Sequence, residues 1–142
     1  MSYNINTLIS DAATAAGCND FLLGHRAFHN QERPYDTPVC WIQLLELKTK
    51  VLANVSFETT YIIRGFIGDQ CNLDASSTKI QTVLGTLYPV YERFISYLAE
   101  RALEPLREVN ARQMIHLYDD NHVGYEFDIV IKIEEEHSYL CP

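Results

Sequence analysis

Residues 123–133 read VGYEFDIVIKI. Val123, Tyr125, Phe127, Ile129, Ile131 and Ile133 alternate with Gly124, Glu126, Asp128 and Lys132. Successive side chains of a strand point to opposite faces, so this spacing predicts a strand with one buried and one polar face. Upstream, residues 107–118 predict an extended segment and Asp119-Asp120-Asn121 a turn, which joins the two as a hairpin. Glu134-Glu135-Glu136 closes the second strand, and residues 137–142 form a short tail.

A second pair of strands precedes it. Residues 39–47 (VCWIQLLEL) are an apolar run, which predicts a strand buried on both faces. After Lys48-Thr49-Lys50, a longer extended segment sets Val51, Ala53, Val55, Phe57, Thr59, Tyr61 and Ile63 on one face. Asn54, Ser56, Glu58, Thr60 and Arg64 fall on the other. Such alternation in β-branched and aromatic residues marks an antiparallel strand, and Gly65 and Gly68 would let it bend or end.

Two stretches carry the period of a helix instead. In residues 4–16, Ile5, Leu8, Ile9, Ala12, Ala13 and Ala16 form one apolar stripe, followed by Gly17 where a left-handed C-cap is favoured. In residues 75–103, Ile80, Val83, Leu84, Leu87, Tyr91, Phe94, Ile95, Leu98 and Ala102 share one face, with Asp74 or Ser76 as N-cap. Pro89 has no N–H to give the carbonyl of Gly85, so the spacing predicts a kink or break between 85 and 89. Residues 24–38, with Pro34 and Pro38, read as a long polar loop of the kind often used for contacts.

The order helix, two strands, helix, two strands predicts an α+β fold. Its core is a four-stranded, mainly antiparallel sheet with both helices on one face. Residues 1–142 read as a single domain, long enough to bury about two-thirds of the unfolded chain's surface without a staple. A sheet this small leaves two edges, whose bare amides recruit partner strands unless protected.

Charge and cysteine usage narrow the function. The chain has 11 Lys and Arg against 19 Asp and Glu, a net −8. Arg101, Arg107 and Arg112 are diluted by Glu100, Glu104 and Glu108, so there is no basic stripe to clamp duplex phosphates. Cys18, Cys40, Cys71 and Cys141 include no C-x-x-C pair and read as free thiols, Cys40 as a small core residue. No apolar stretch approaches a membrane span and no targeting segment is visible, which predicts a chain that starts in a cytoplasm.

The motifs of nucleophilic, nucleotide and metalloprotease sites are missing, and the expectation is a protein without catalytic residues, cofactor or metal. His25-x-x-x-His29 with Cys18 and Cys40 is the nearest approach to a zinc set, but it falls in a loop, where helical spacing means nothing. Asp119 to Asn121 and Glu134 to Glu136 are accounted for by turn chemistry and a solvated strand end. His116 and His122 flank the same turn and read as exposed.

Two blocks of residues are familiar in combination. One is Ala16-Gly17-Cys18-Asn19-Asp20-Phe21 after the first helix, the Gly24 loop, and Pro38-Val39-Cys40-Trp41. The other is Arg93-Phe94-Ile95 in the long helix with Asp120-Asn121-His122-Val123-Gly124-Tyr125-Glu126-Phe127-Asp128. Together they resemble the tail-completion, or tail-terminator-like, proteins of bacteriophages. The resemblance implies a virion protein at the tail or neck, assembled in the host cytoplasm as a ring, six-fold by preference. It implies contacts with tail-tube or neck connector proteins, DNA only as transiting cargo, and no membrane. The interface residues expected on this reading are Arg33, Tyr35, Asn54, Ser56, Glu58, Thr60, Glu126 and Asp128. A protein-binding adaptor or inhibitor that uses the same sheet edge, and a small enzyme with an unrecognised site, are the other function classes the sequence leaves open.

Overall fold

The computed structural model describes residues 4–24, 38–52, 56–71, 76–117 and 122–135. Helix α1 spans Ile5–Ala16, strand β1 Asp20–Leu23, β2 Val39–Leu52 and β3 Ser56–Gln70. Helix α2 spans Ser77–Arg101, followed by β4 Arg107–Leu117 and β5 His122–Glu135. The strands form one five-stranded sheet in the order β1-β2-β3-β5-β4.

The α+β class and the two hairpins are as the patterning predicts, but the sheet is mixed and has one strand more. Strand β1 lies parallel to β2, with Asp20 beside Val39 and Leu23 beside Ile42. A strand this short carries no periodicity, and the patterning assigns no element there. All other neighbours are antiparallel, and β3 against β5 joins the hairpins along their whole length, from Phe57–Glu135 to Gln70–His122.

Three boundaries differ for physical reasons. Lys48, Thr49 and Lys50 do not separate two strands; they pair with Thr60, Thr59 and Glu58, and the ladder continues to Leu52 opposite Ser56. Polar residues there face solvent from an edge strand, which patterning alone does not distinguish from a turn. Strand β3 runs through Gly65 and Gly68 without ending. Gly65 lies opposite Phe127, whose ring fills the space a Cβ would need. Helix α2 is not broken at Pro89. Packing of Leu84, Leu87, Val90, Tyr91, Phe94 and Leu98 into the core holds it through the missing bond.

Both helices pack on one face of the sheet, over Cys40, Ile42, Ile63, Ile67, Tyr125, Phe127, Ile129, Ile131 and Ile133. Asn4 caps α1 by accepting from the N–H groups of Asn6 and Thr7, and Gly17 ends it at φ 100°. Arg93 of α2 donates through Nε (3.1 Å) and Nη2 (2.8 Å) to the carbonyl oxygen of Ala16, which ties the last turn of α1 to α2. Ser76 is the N-cap of α2. The Tyr125 hydroxyl donates to the Leu84 carbonyl (3.1 Å) and so anchors β5 to α2 beneath the ring cluster of Tyr88, Tyr91 and Phe127.

Candidate interaction surface

The face of the sheet away from the helices has two halves, and the strand registers place each residue on it. Near β1, Leu22, Val39, Trp41 and Phe66 form a small second core, with Met114 packed against it. Beyond that core the face is charged. One row across the sheet is Trp41, Phe66, Glu126 and Arg112; the next is Gln43, Arg64, Asp128 and Asn110. Then follow Glu46, Ile62, Val130 and Arg107; Lys48, Thr60 and Lys132; and Lys50, Glu58 and Glu134.

Charges of opposite sign meet across the strands. Arg64 Nε donates to Asp128 Oδ1 at 2.8 Å, and Arg112 Nη1 approaches Asp128 Oδ2 at 3.5 Å. Burial on the sheet raises the Asp128 carboxyl, but its bond from Arg64 and the charges of Arg64 and Arg112 outweigh that and hold it below the usual carboxylate range. The same bond to Asp128 raises the Arg64 guanidinium. Arg112 also bonds Glu126, whose side chain is only 4% exposed while that of Arg112 is 45% exposed. Lys132 lies 3.2 Å from Glu58 and 3.4 Å from Glu104 and is raised by them, Glu58 first. A hollow of about 230 Å³ lies among these rows, between Glu46 and Lys48 on one side and Arg107 and Glu108 on the other.

Two further contacts lie on the helix-facing side of the sheet. The Tyr61 hydroxyl donates to Glu135 at 2.6 Å, and burial together with that carboxylate pushes its pKa well above the ordinary phenol value. The Cys18 and Cys40 thiols are hydrogen-bonded neighbours beside Arg93. The bond from Cys40 lowers Cys18, whereas complete burial raises Cys40. Cys18, Cys40 and Cys71 are free thiols.

Among the described residues no group of three or more His, Cys, Asp or Glu is placed to hold a metal. His25 and His29 lie outside those residues, as do the 119–121 turn, Cys141 and the 137–142 tail. His122 is buried, not exposed as the turn suggests, with its ring edge-on to Phe66 at 6.5 Å. No helix among the described residues is long and apolar enough to cross a membrane.

Of the interface residues expected from sequence, Glu58, Thr60, Glu126 and Asp128 stand on the charged face. Glu126 is buried there, so the group it presents outward is its partner Arg112. Ser56 sits on β3 opposite Leu52, and Arg33, Tyr35 and Asn54 lie outside the described residues. What sequence reasoning misses is where the two expected edges fall. Strand β1 covers β2 only over Val39–Ile42, where the Gly24 N–H also donates to the Ile42 carbonyl. From Gln43 to Leu52 the outer side of β2 has no strand beside it among the described residues. Leu47 is 58% exposed and Val51 70%. At the other end of the sheet the outer side of β4 also has no strand beside it among the described residues, and Val109 and Ile115 are exposed. The signal was an apolar run 39–47 that continues past what one buried strand needs.

No protein-family model matches the chain, and no curated protein matches it.

Proposed function

We propose that this protein is a structural subunit that assembles with copies of itself into a ring at a bacteriophage tail or neck. There it completes the tail or joins tail to head around a lumen through which DNA passes. The observation that carries this reading is a single sheet that, among the described residues, ends in two uncovered edges, β2 beyond Ile42 and β4, with exposed apolar side chains on both. Bare strand edges recruit further strands, and a contact between two different surfaces of identical subunits closes into a ring when the rotation permits. A stable contact of this kind buries at least about 1,000 Å². The resemblance of the 16–41 and 93–128 blocks to tail-completion proteins supports a tail or neck as the place of the ring. The net charge of −8 suits a conduit that must not grip phosphate.

Two measurements test the reading. Light scattering on the purified chain should return a multiple of its 16.3 kDa mass, alone or with a tail-tube partner. Electron microscopy of particles should place the chain in a ring at the tail–neck junction. Particles that lack the chain, combined with turnover of a small compound by the purified protein, would sink the proposal.

A further inference from the structure

Strands β2 and β4 run in opposite directions, because each of the steps β2–β3, β3–β5 and β5–β4 is antiparallel. A rotation about an axis along the strands therefore lays the outer half of β2 of one copy antiparallel beside β4 of the next. Antiparallel edges of this kind complete one another's hydrogen bonds. The geometry points to this head-to-tail junction, in one register: Lys48 of one copy opposite Asn110 of its neighbour. The inference rests on the ring reading above and names the contact that builds it.

Charge selects the register. Glu46, Lys48 and Lys50 stand on the charged face of β2, as Asn110 and Arg112 do on β4, and Glu108 lines the same hollow as Glu46 and Lys48. With Lys48 opposite Asn110, Glu46 falls opposite Arg112, a pair of opposite sign, and Lys50 comes level with the bulge of β4 between Arg107 and Asn110, where Glu108 at φ 53° lines the hollow. On the other face the exposed Leu47 falls opposite Ala111, whose small side chain leaves it room. Faces stay matched only for shifts of two residues. One such shift sets Arg112 against Lys48, a like-charge pair. The other loses the Glu46–Arg112 pair and sets Glu46 against Asn110. Opposite charges directly across a strand pair favour it and like charges oppose it. A two-fold contact of β2 with β2 would leave the β4 edge bare in both copies, whereas the head-to-tail contact covers both edges of every copy.

Disulfide trapping tests the register, since directly opposed residues bring their Cβ atoms to about the separation a disulfide needs. A chain carrying both Lys48→Cys and Asn110→Cys should give, under mild oxidation, a ladder of covalent oligomers on a non-reducing gel. Each single variant should match the background set by the native thiols of the unsubstituted chain. Leu47→Cys reports the two-fold alternative, in which that residue meets its own copy; self-linking there overturns the proposal. In a second arm, Lys50→Glu should weaken association by about two- to five-fold per contact, and adding Glu108→Lys should restore it. An oligomer in light scattering with no ladder and no charge rescue overturns this junction and leaves the ring standing on other contacts. A chain that is monomeric with and without a tail-tube partner removes both.

Discussion

Arg112 and Glu126 show how much one side chain carries here. The guanidinium is nearly half exposed and its carboxylate partner almost wholly buried, between the Trp41–Phe66 core and the charged rows. Removing the cation takes from this buried carboxylate its bonded counter-charge, so Arg112→Met should cost about 2 kcal/mol in urea unfolding. Removing both charges together should cost less than that single change, because no buried carboxylate then loses its counter-charge. A double-mutant cycle measures the difference, and additive losses would refute the coupling. Asp128 makes a prediction in pH. Its carboxyl is held below the ordinary range, so its pairing with Arg64 contributes stability that is full above about pH 4 and is lost as pH falls through the lowered value. The stability gap between the native chain and Asp128→Asn should therefore close in acid; a gap unchanged at low pH would exclude the ion pair as its source. Tyr61 behaves oppositely. Its raised pKa means that stability is full below about pH 10 and declines as pH rises beyond it, a decline Tyr61→Phe should abolish.

At the scale of elements, α2 and β5 are the best determined by sequence and the most constrained in space. Nine positions at helical spacing and six at strand spacing announce them; all six strand positions are buried, but so are Gly124, Glu126 and Val130 between them, and on α2 Val90 is buried beside the stripe. Close contacts without spacing are what the sequence hides. Gly124 reads as one more polar-face residue, yet a Cβ there would overlap the backbone oxygen of Ile67 on β3. Backbone cannot step aside as a side chain can, so Gly124→Ala should destabilise by about 2–3 kcal/mol or prevent folding. Pro89 works in the other direction. It is exposed and leaves the Gly85 carbonyl without its helical donor, while a Cβ at Gly85 meets nothing within 4 Å. Pro89→Ala should thus raise stability by about 1–3 kcal/mol, which thermal unfolding would detect. A fall instead would mean that the packing of α2 depends on the local shape Pro89 imposes. Strand β1 lies at the far limit of legibility: Asp20–Leu23 acquires its identity only from the neighbouring Val39–Ile42.

For the molecule as a whole, hydrophobic periodicity yields the α+β class, both hairpins and the side of the sheet the helices take. It does not yield which hairpin strands adjoin, nor where each edge is left bare, because those are relations between segments far apart in the chain. The charged face is legible in part, since Glu58, Thr60, Arg64 and Asp128 alternate with core residues, but the cross-strand partners emerge only from the register. If bare edges are covered by copies, association must add to stability, so the melting temperature should rise with protein concentration in calorimetry. A concentration-independent melt would argue for a self-sufficient monomer. The ladder of β3 with β5 has a further consequence, for biosynthesis. It joins Phe57–Gln70 to His122–Glu135, with all of α2 and β4 between them. Pairings so distant in sequence close slowly. A ribosome thus delivers β3 with its inner side unmatched until β5 has been translated. Stopping synthesis before His122 should produce insoluble polypeptide, not a smaller folded unit.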